Sequence, residues 1–278
     1  MKPRVMSLVI FTCAVGLLTS NSNINITDSM IGITLVALGA GAAGCLNMWY
    51  EADLDALMTR TCLRPIPTGK INKQQALIFG IFLTVFSVGA LNYFANTLSA
   101  TLLLFTILFY LFVYTIWLKR ITPQNIVIGG VAGSLPPVIG WTIATNSISM
   151  ASISLFLIIF LWTPSHFWAL SLYKADDYKK ANIPMMPLTN GVEKTKIYIF
   201  IYSLLMLPVI ILPYAINFSG LIYLIPAMML TIYYNFICYD LYKHKKNKFV
   251  LKKAKKVFGY SILYLFLIFV LFLIDNLI

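Results

Sequence analysis

The chain has little charge: 11% of its 278 residues are Asp, Glu, Lys or Arg, against 60% hydrophobic residues. An ordinary soluble domain is about a quarter charged. Too few polar side chains remain to cover a water-facing surface, which excludes a soluble globular protein. Cysteine is scarce and scattered: Cys13, Cys45, Cys62 and Cys238 show no CxxC or CxxCH spacing. Neither a zinc site nor covalently attached heme is indicated. Acidic residues number 9 against 21 Lys and Arg, giving a formal net charge of +12. In a soluble protein that excess would suggest nucleic acid. Here the charges fall between apolar segments, so the first partner they imply is the lipid bilayer and no nucleic acid is expected.

What the chain does have is apolar runs of membrane-spanning length, recurring from end to end. Hydropathy places nine spans at about 5–20, 30–47, 76–94, 99–118, 125–144, 150–172, 196–216, 220–239 and 257–275. The first run follows Lys2 and Arg4 like a signal peptide but lacks a convincing cleavage site, so it is read as a retained helix. The expectation is an all-α integral membrane protein forming a single polytopic domain over 1–278. With a cytoplasmic amino terminus, all 21 Lys and Arg fall on the cytoplasmic side, a strong positive-inside pattern. Two inner segments, Met48 to Gln75 and Tyr173 to Lys196, are long and concentrate acidic, basic and proline residues. They lie four helices apart, which hints at an internal pseudo-repeat. In the fifth span, Gly129 and Gly133 have the spacing that lets helices approach closely, and Pro136-Pro137 should kink or break the helix.

The chemistry-bearing residues gather in those two segments. The first reads NxxxExDxDALMxRTxxRP from Asn47 to Pro65. On a helix, Asn47, Glu51 and Asp55 recur every four residues and share a face, so their oxygens can converge on one hard cation, while Asp53 points elsewhere. Magnesium is normally held by one or two carboxylates together with substrate phosphate oxygens. The plainer alternative is that these acids pair with neighbouring Arg and Lys at a solvated surface, where ion pairs contribute little. A second acidic cluster, Tyr173-Lys-Ala-Asp176-Asp177, falls on the same predicted face and favours the metal reading. Arg60, Arg64, Lys119 and Arg120 could contact a diphosphate, although a basic pair such as Lys119-Arg120 at a helix end also serves to fix topology. The basic run 243–256 is read as a topogenic, lipid-facing patch. His166, near the inner end of the sixth span, is a functional candidate as heme ligand or proton donor, with hydrogen-bonded packing as the alternative.

The stretch Asn47 to Pro65, the text from Lys119 through Gly133 to Pro136-Pro137, and the text from His166 through Tyr173 and Asp177 to Pro187 together resemble the heme O synthases, or protoheme farnesyltransferases. These form a branch of the intramembrane UbiA-type prenyltransferase superfamily, and the resemblance covers nearly the whole chain. It implies about nine helices in a UbiA-like bundle around a central cavity, in the bacterial cytoplasmic (inner) membrane. It implies transfer of a farnesyl group from farnesyl diphosphate to a vinyl group of heme b, with Mg2+ as cofactor. Carried over, Asn47, Glu51, Asp55 and Asp177 are metal-site residues, and Asp55, Asp177, Tyr173 and His166 are catalytic. Arg60, Arg64, Lys119 and Arg120 bind diphosphate. Glu51 stands where aspartate is usual, and Tyr173 stands where quinone-pathway members usually have aspartate. Association with the enzyme that oxidises heme O, or with a terminal oxidase, is a further expectation. The competing readings are a polyprenyltransferase acting on 4-hydroxybenzoate or another quinone precursor, and a transporter.

Overall fold

A chain that must satisfy its backbone in hydrocarbon has helices as its simplest solution, and the computed structural model, which describes residues 3–59, 61–245 and 247–277, is helical throughout its regular elements. In order these are α1 (Pro3–Leu18), α2 (Ile26–Tyr50), α3 (Ala52–Leu57), α4 (Lys73–Phe94), α5 (Thr97–Leu108), α6 (Asn125–Ser134), α7 (Pro136–Thr145) and α8 (Met150–Tyr173). They continue with α9 (Ala175–Lys180), α10 (Met186–Thr189), α11 (Gly191–Ala215), α12 (Leu221–Lys243) and α13 (Asn247–Leu277). A π-helix over Phe109–Trp117 and a 3-10 turn over Leu118–Arg120 extend α5. Among the described residues eight segments are long and apolar enough to cross a membrane, and Met6–Leu18 is a shorter apolar helix beside them. The chain is a multi-pass membrane protein, close to the nine spans expected.

Helix boundaries follow local chemistry. Asn72 and Ser149 open α4 and α8 with capping boxes, completed by Gln75 and Ser152. Asn21, Asn146, Asn182 and Asn217 take the left-handed conformation at turns, with φ between 50° and 56°, which asparagine tolerates better than other side chains. The expected fifth span is two helices. Pro136 and Pro137 bring no N–H to the ladder, so α6 ends at Ser134 and α7 restarts with proline in its first turn. The last span starts earlier than expected: α13 begins at Asn247, so much of the basic run is its opening turns rather than a loop.

Two buried cores organise the bundle. One gathers α2, α5 and α7 with Leu91 of α4, and the other gathers α8, α11, α12 and α13 with the segment from Tyr178 to Met186. Side chains outside the cores are apolar too: Phe82, Val85 and Phe236 are each more than 60% exposed, as a lipid-facing surface requires. The closest helix contact was not the one the sequence suggested. A Cβ at Gly16 would lie 2.0 Å from the Pro137 carbonyl oxygen, and one at Gly140 would lie 1.9 Å from that of Cys13. Backbone therefore packs on backbone between α1 and α7. Gly129 does meet a neighbour, the ring of Tyr114, but Gly133 faces open space and takes no part in helix approach.

The helices alternate in direction. Lys73, Lys119, Arg120, Lys174, Lys196, Lys243 and the lysines of early α13 consequently share one end of the bundle. At the opposite end the ties are neutral or acidic. Asn96 donates to the Thr142 carbonyl at 2.7 Å, and Asp275 accepts from Gly220 and Tyr223 N–H at 2.7 and 3.1 Å.

Candidate active site

The first acidic segment is a helix with a one-residue joint. α2 ends at Tyr50, Glu51 sits at φ −91°, ψ 15°, and α3 follows. Hydrogen bonds from Glu51 N–H to the Asn47 carbonyl (2.9 Å) and from Asp55 N–H to the Glu51 carbonyl (2.8 Å) carry the i, i+4 pattern across the joint. The expected shared face survives: Asn47, Glu51 and Asp55 are 0%, 2% and 3% exposed. Asp53 points outward.

A carboxylate taken out of water costs several kcal/mol unless its charge is met, and each acid here faces a cation. Lys119 donates to Glu51. Arg64 places Nη1 2.7 Å from both oxygens of Asp55. Arg120 donates to Asp53 at 3.1 Å and lies over the Tyr50 ring. All three acids are thus in ion pairs, as the plainer reading expected, but only the Asp53–Arg120 pair is solvated, with side chains 54% and 37% exposed, whereas Glu51 and Asp55 are enclosed. Partial burial raises the Asp53 pKa, but the Arg120 hydrogen bond and charge together with backbone donors outweigh it and hold the carboxyl below its ordinary value.

Asn47 is tied to the π-helix. Its Nδ2 donates to Thr115 Oγ at 2.9 Å, and Thr115 Oγ donates to the Tyr110 carbonyl at 2.8 Å, five residues back along the π register. The second segment meets the first through another hydroxyl: Thr59 Oγ donates to Asp177 Oδ1 at 2.7 Å, linking residues 118 apart in sequence. Asp177 is buried on α9, whereas Asp176 is exposed. Tyr173, at the end of α8, packs edge-on against Phe258, with the Lys255 ammonium 5.8 Å from its ring. Arg60 lies outside the described residues.

His166 stands two turns back along α8 from Tyr173. Its ring stacks between Trp162 at 4.2 Å and Phe258 at 4.6 Å. Nδ1 is 2.6 Å from Ser261 Oγ, and Trp162 Nε1 donates to the Ser261 carbonyl at 2.9 Å. Thr59, Thr115, Phe258 and Ser261 were all absent from the sequence reading. The carboxylates do not form a ready-made cage: among the described residues no three Asp, Glu, His or Cys side chains gather as a metal site. The donor set is still one that suits a hard cation. It offers buried carboxylates and an amide, with cations alongside of the kind a diphosphate needs.

Residues 8–262 match the model of the UbiA prenyltransferase family. The chain is 76% identical over 276 residues to the protoheme IX farnesyltransferase of Pelagibacter ubique (strain HTCC1062), covering 99% of this chain and 91% of that one. It is 52% identical to protoheme IX farnesyltransferase 2 of Mesorhizobium japonicum, covering 99% and 88%. Among solved structures, a digeranylgeranylglyceryl phosphate synthase superposes with TM-score 0.82 at 20% identity, covering 99% of this chain and 94% of that one. A UbiA homologue from Archaeoglobus fulgidus bound to DMAPP and Mg2+ gives TM-score 0.66 at 16% identity, covering 96% and 97%. This chain belongs to the UbiA prenyltransferase family.

Proposed function

We propose that the protein transfers a farnesyl group from farnesyl diphosphate to a vinyl group of heme b, giving heme O. The observation that carries this reading is the joining of two acidic segments by Thr59 and Asp177 at the charged end of the bundle, in a chain 76% identical to a protoheme IX farnesyltransferase. The whole chain, 1–278, acts as one catalytic domain in the bacterial inner membrane, with the charged end cytoplasmic.

Asn47, Glu51, Asp55 and Asp177 would hold magnesium together with the diphosphate. Magnesium bound there supplies Lewis-acid stabilisation of charge on the departing diphosphate. Arg64 and Lys119, which pair with Asp55 and Glu51, would turn part of their charge toward the diphosphate oxygens, and Arg60 and Arg120 would add to it. These contacts strengthen as the farnesyl C–O bond breaks and negative charge grows on the leaving group. The heme vinyl carbon then bonds to the farnesyl carbon. Water adds to the resulting cation, which loses a proton to leave a hydroxyethylfarnesyl substituent. Tyr173 and the aromatic side chains around His166 form a wall that keeps bulk water from the allylic carbon. Membranes containing the protein, supplied with heme b, farnesyl diphosphate and magnesium, should yield heme O by mass. Prenylation of 4-hydroxybenzoate with no heme O formed would move the protein to the quinone branch.

A further inference from the structure

Ser261 has one hydroxyl proton, and the Phe258 carbonyl lies 2.7 Å from its oxygen in donor geometry. With that proton committed, Ser261 Oγ meets His166 Nδ1, 2.6 Å away, as an acceptor. This hydrogen-bond network assigns the imidazole proton to Nδ1, which leaves a lone pair on Nε2. Trp162 Nε1 fixes Ser261 from behind through its carbonyl. Trp162 and Phe258 clamp both faces of the ring, and Phe167 stands edge-on at 5.0 Å. Three aromatic rings and one neutral hydroxyl thus face the imidazole. Nε2 is not among the enclosed unpartnered atoms, which in the described residues are Asn125 Oδ1, Trp141 Nε1 and Trp168 Nε1. The residue as a whole keeps 7% exposure.

A neutral imidazole held by a second residue at one nitrogen, with its other nitrogen bare and aromatic walls around it, matches what is required to ligate the iron of a flat macrocycle. We infer that His166 Nε2 ligates the iron of the acceptor heme, and that Ser261 is the positioning residue that sets the tautomer for it. The inference rests on heme b being the acceptor. The seven residues from His166 to Tyr173 rise about 10 Å along α8. A porphyrin seated on His166 reaches with its vinyl edge toward the charged end across a span of that order. The iron undergoes no net chemistry here; ligation fixes the ligated face of the substrate and its distance from the charged end.

The test is a titration of the purified full chain with ferric heme b, without farnesyl diphosphate, followed by the Soret band and by the spectrum of the reduced carbon monoxide complex. The parent should show a nitrogen-ligand spectrum. His166→Gln, which keeps a donor for Ser261 and lacks an imidazole, should lose it. Ser261→Ala should bind about ten-fold more weakly or worse, the usual loss when a ligand's supporting hydrogen bond goes. Ser261→Thr should restore binding. Ser171→Ala, which removes another buried serine hydroxyl of α8, should leave the spectrum unchanged. An identical spectrum for the parent and His166→Gln, or parental affinity in Ser261→Ala, overturns the inference, even where the same membranes still make heme O. Prenylation of a different acceptor with heme b untouched overturns the underlying reading instead.

Discussion

The two acidic segments share a backbone plan and differ in how their charge is met. Each is a long membrane helix, a one-residue joint and a six-residue helix: Glu51 at φ −91°, ψ 15° before α3, and Lys174 at φ −114°, ψ 19° before α9. In the first segment three acids meet three cations, two of them from the far end of the α5 extension. In the second, Asp177 is buried and is met by the neutral hydroxyl of Thr59, with no ion pair among the described residues. A hydroxyl satisfies a hydrogen bond without cancelling a charge. Asp177 is therefore the carboxylate with most to gain from an arriving cation, whereas Asp55 and Glu51 must first exchange a partner.

The largest effect should come from removing either carboxylate. Asp55→Asn and Asp177→Asn should each lower heme O formation by about 100-fold or more, the scale of losing a group that stabilises transition-state charge. Raised magnesium should rescue Asp177→Asn in part and Asp55→Asn less. Near-parental rates in both would sink the two-segment mechanism, and equal rescue would erase the distinction drawn between them. Asp28→Asn, at the opposite end, is the control.

Next in size is Arg64→Leu, which leaves Asp55 enclosed without its cation and should cost about 3 kcal/mol or more. Because a single guanidinium nitrogen holds both Asp55 oxygens, Arg64→Lys should retain most of that stability. Thermal unfolding in detergent at matched concentration separates the two. Thr59→Val should cost about 1–3 kcal/mol by leaving Asp177 short of a donor, and should loosen the link between the segments, read by proteolysis within 58–72.

The smallest change belongs to Asp53→Asn, at most about 1 kcal/mol for so exposed a pair. Its pH dependence has a definite sign. The folded pKa of Asp53 lies below the ordinary value, so its stabilisation is present above the unfolded aspartate pKa and is lost as pH falls through the folded one. The parent should be slightly more stable than Asp53→Asn near neutrality and indistinguishable from it in acid. A difference that grows on acidification would contradict the pairing with Arg120.

Helices and the acidic face were legible because both are local: hydropathy runs mark spans, and an i, i+4 spacing survives even the joint at Glu51. The break at Pro136 was legible for the same reason. Partners distant in sequence were not. Nothing near Lys119 indicates that it reaches Glu51 rather than solvent. The hydroxyls were hidden by their ordinary company: Thr12, Thr84 and Thr106 donate to the carbonyl four residues back, the usual local option in a membrane helix. Thr59 and Thr115 read the same way in sequence yet reach other segments, the second through a π register that aromatic residues do not announce. Ser261, in a run of apolar residues on the last helix, gave no signal at all.

The backbone contact between α1 and α7 has a consequence for biogenesis. Gly16 leaves the ribosome about 120 residues before Pro137, an interval on the order of 10 s at ordinary elongation rates. Throughout that time α1 must hold its place without the surface that finally receives it. Intrahelical hydrogen bonds let it wait in lipid, but the bare backbone at Gly16 is then open to whichever other helix arrives. A Gly16→Ala or Gly140→Ala chain should insert normally and be cleared afterwards, its defect appearing in pulse-chase turnover rather than in translocation.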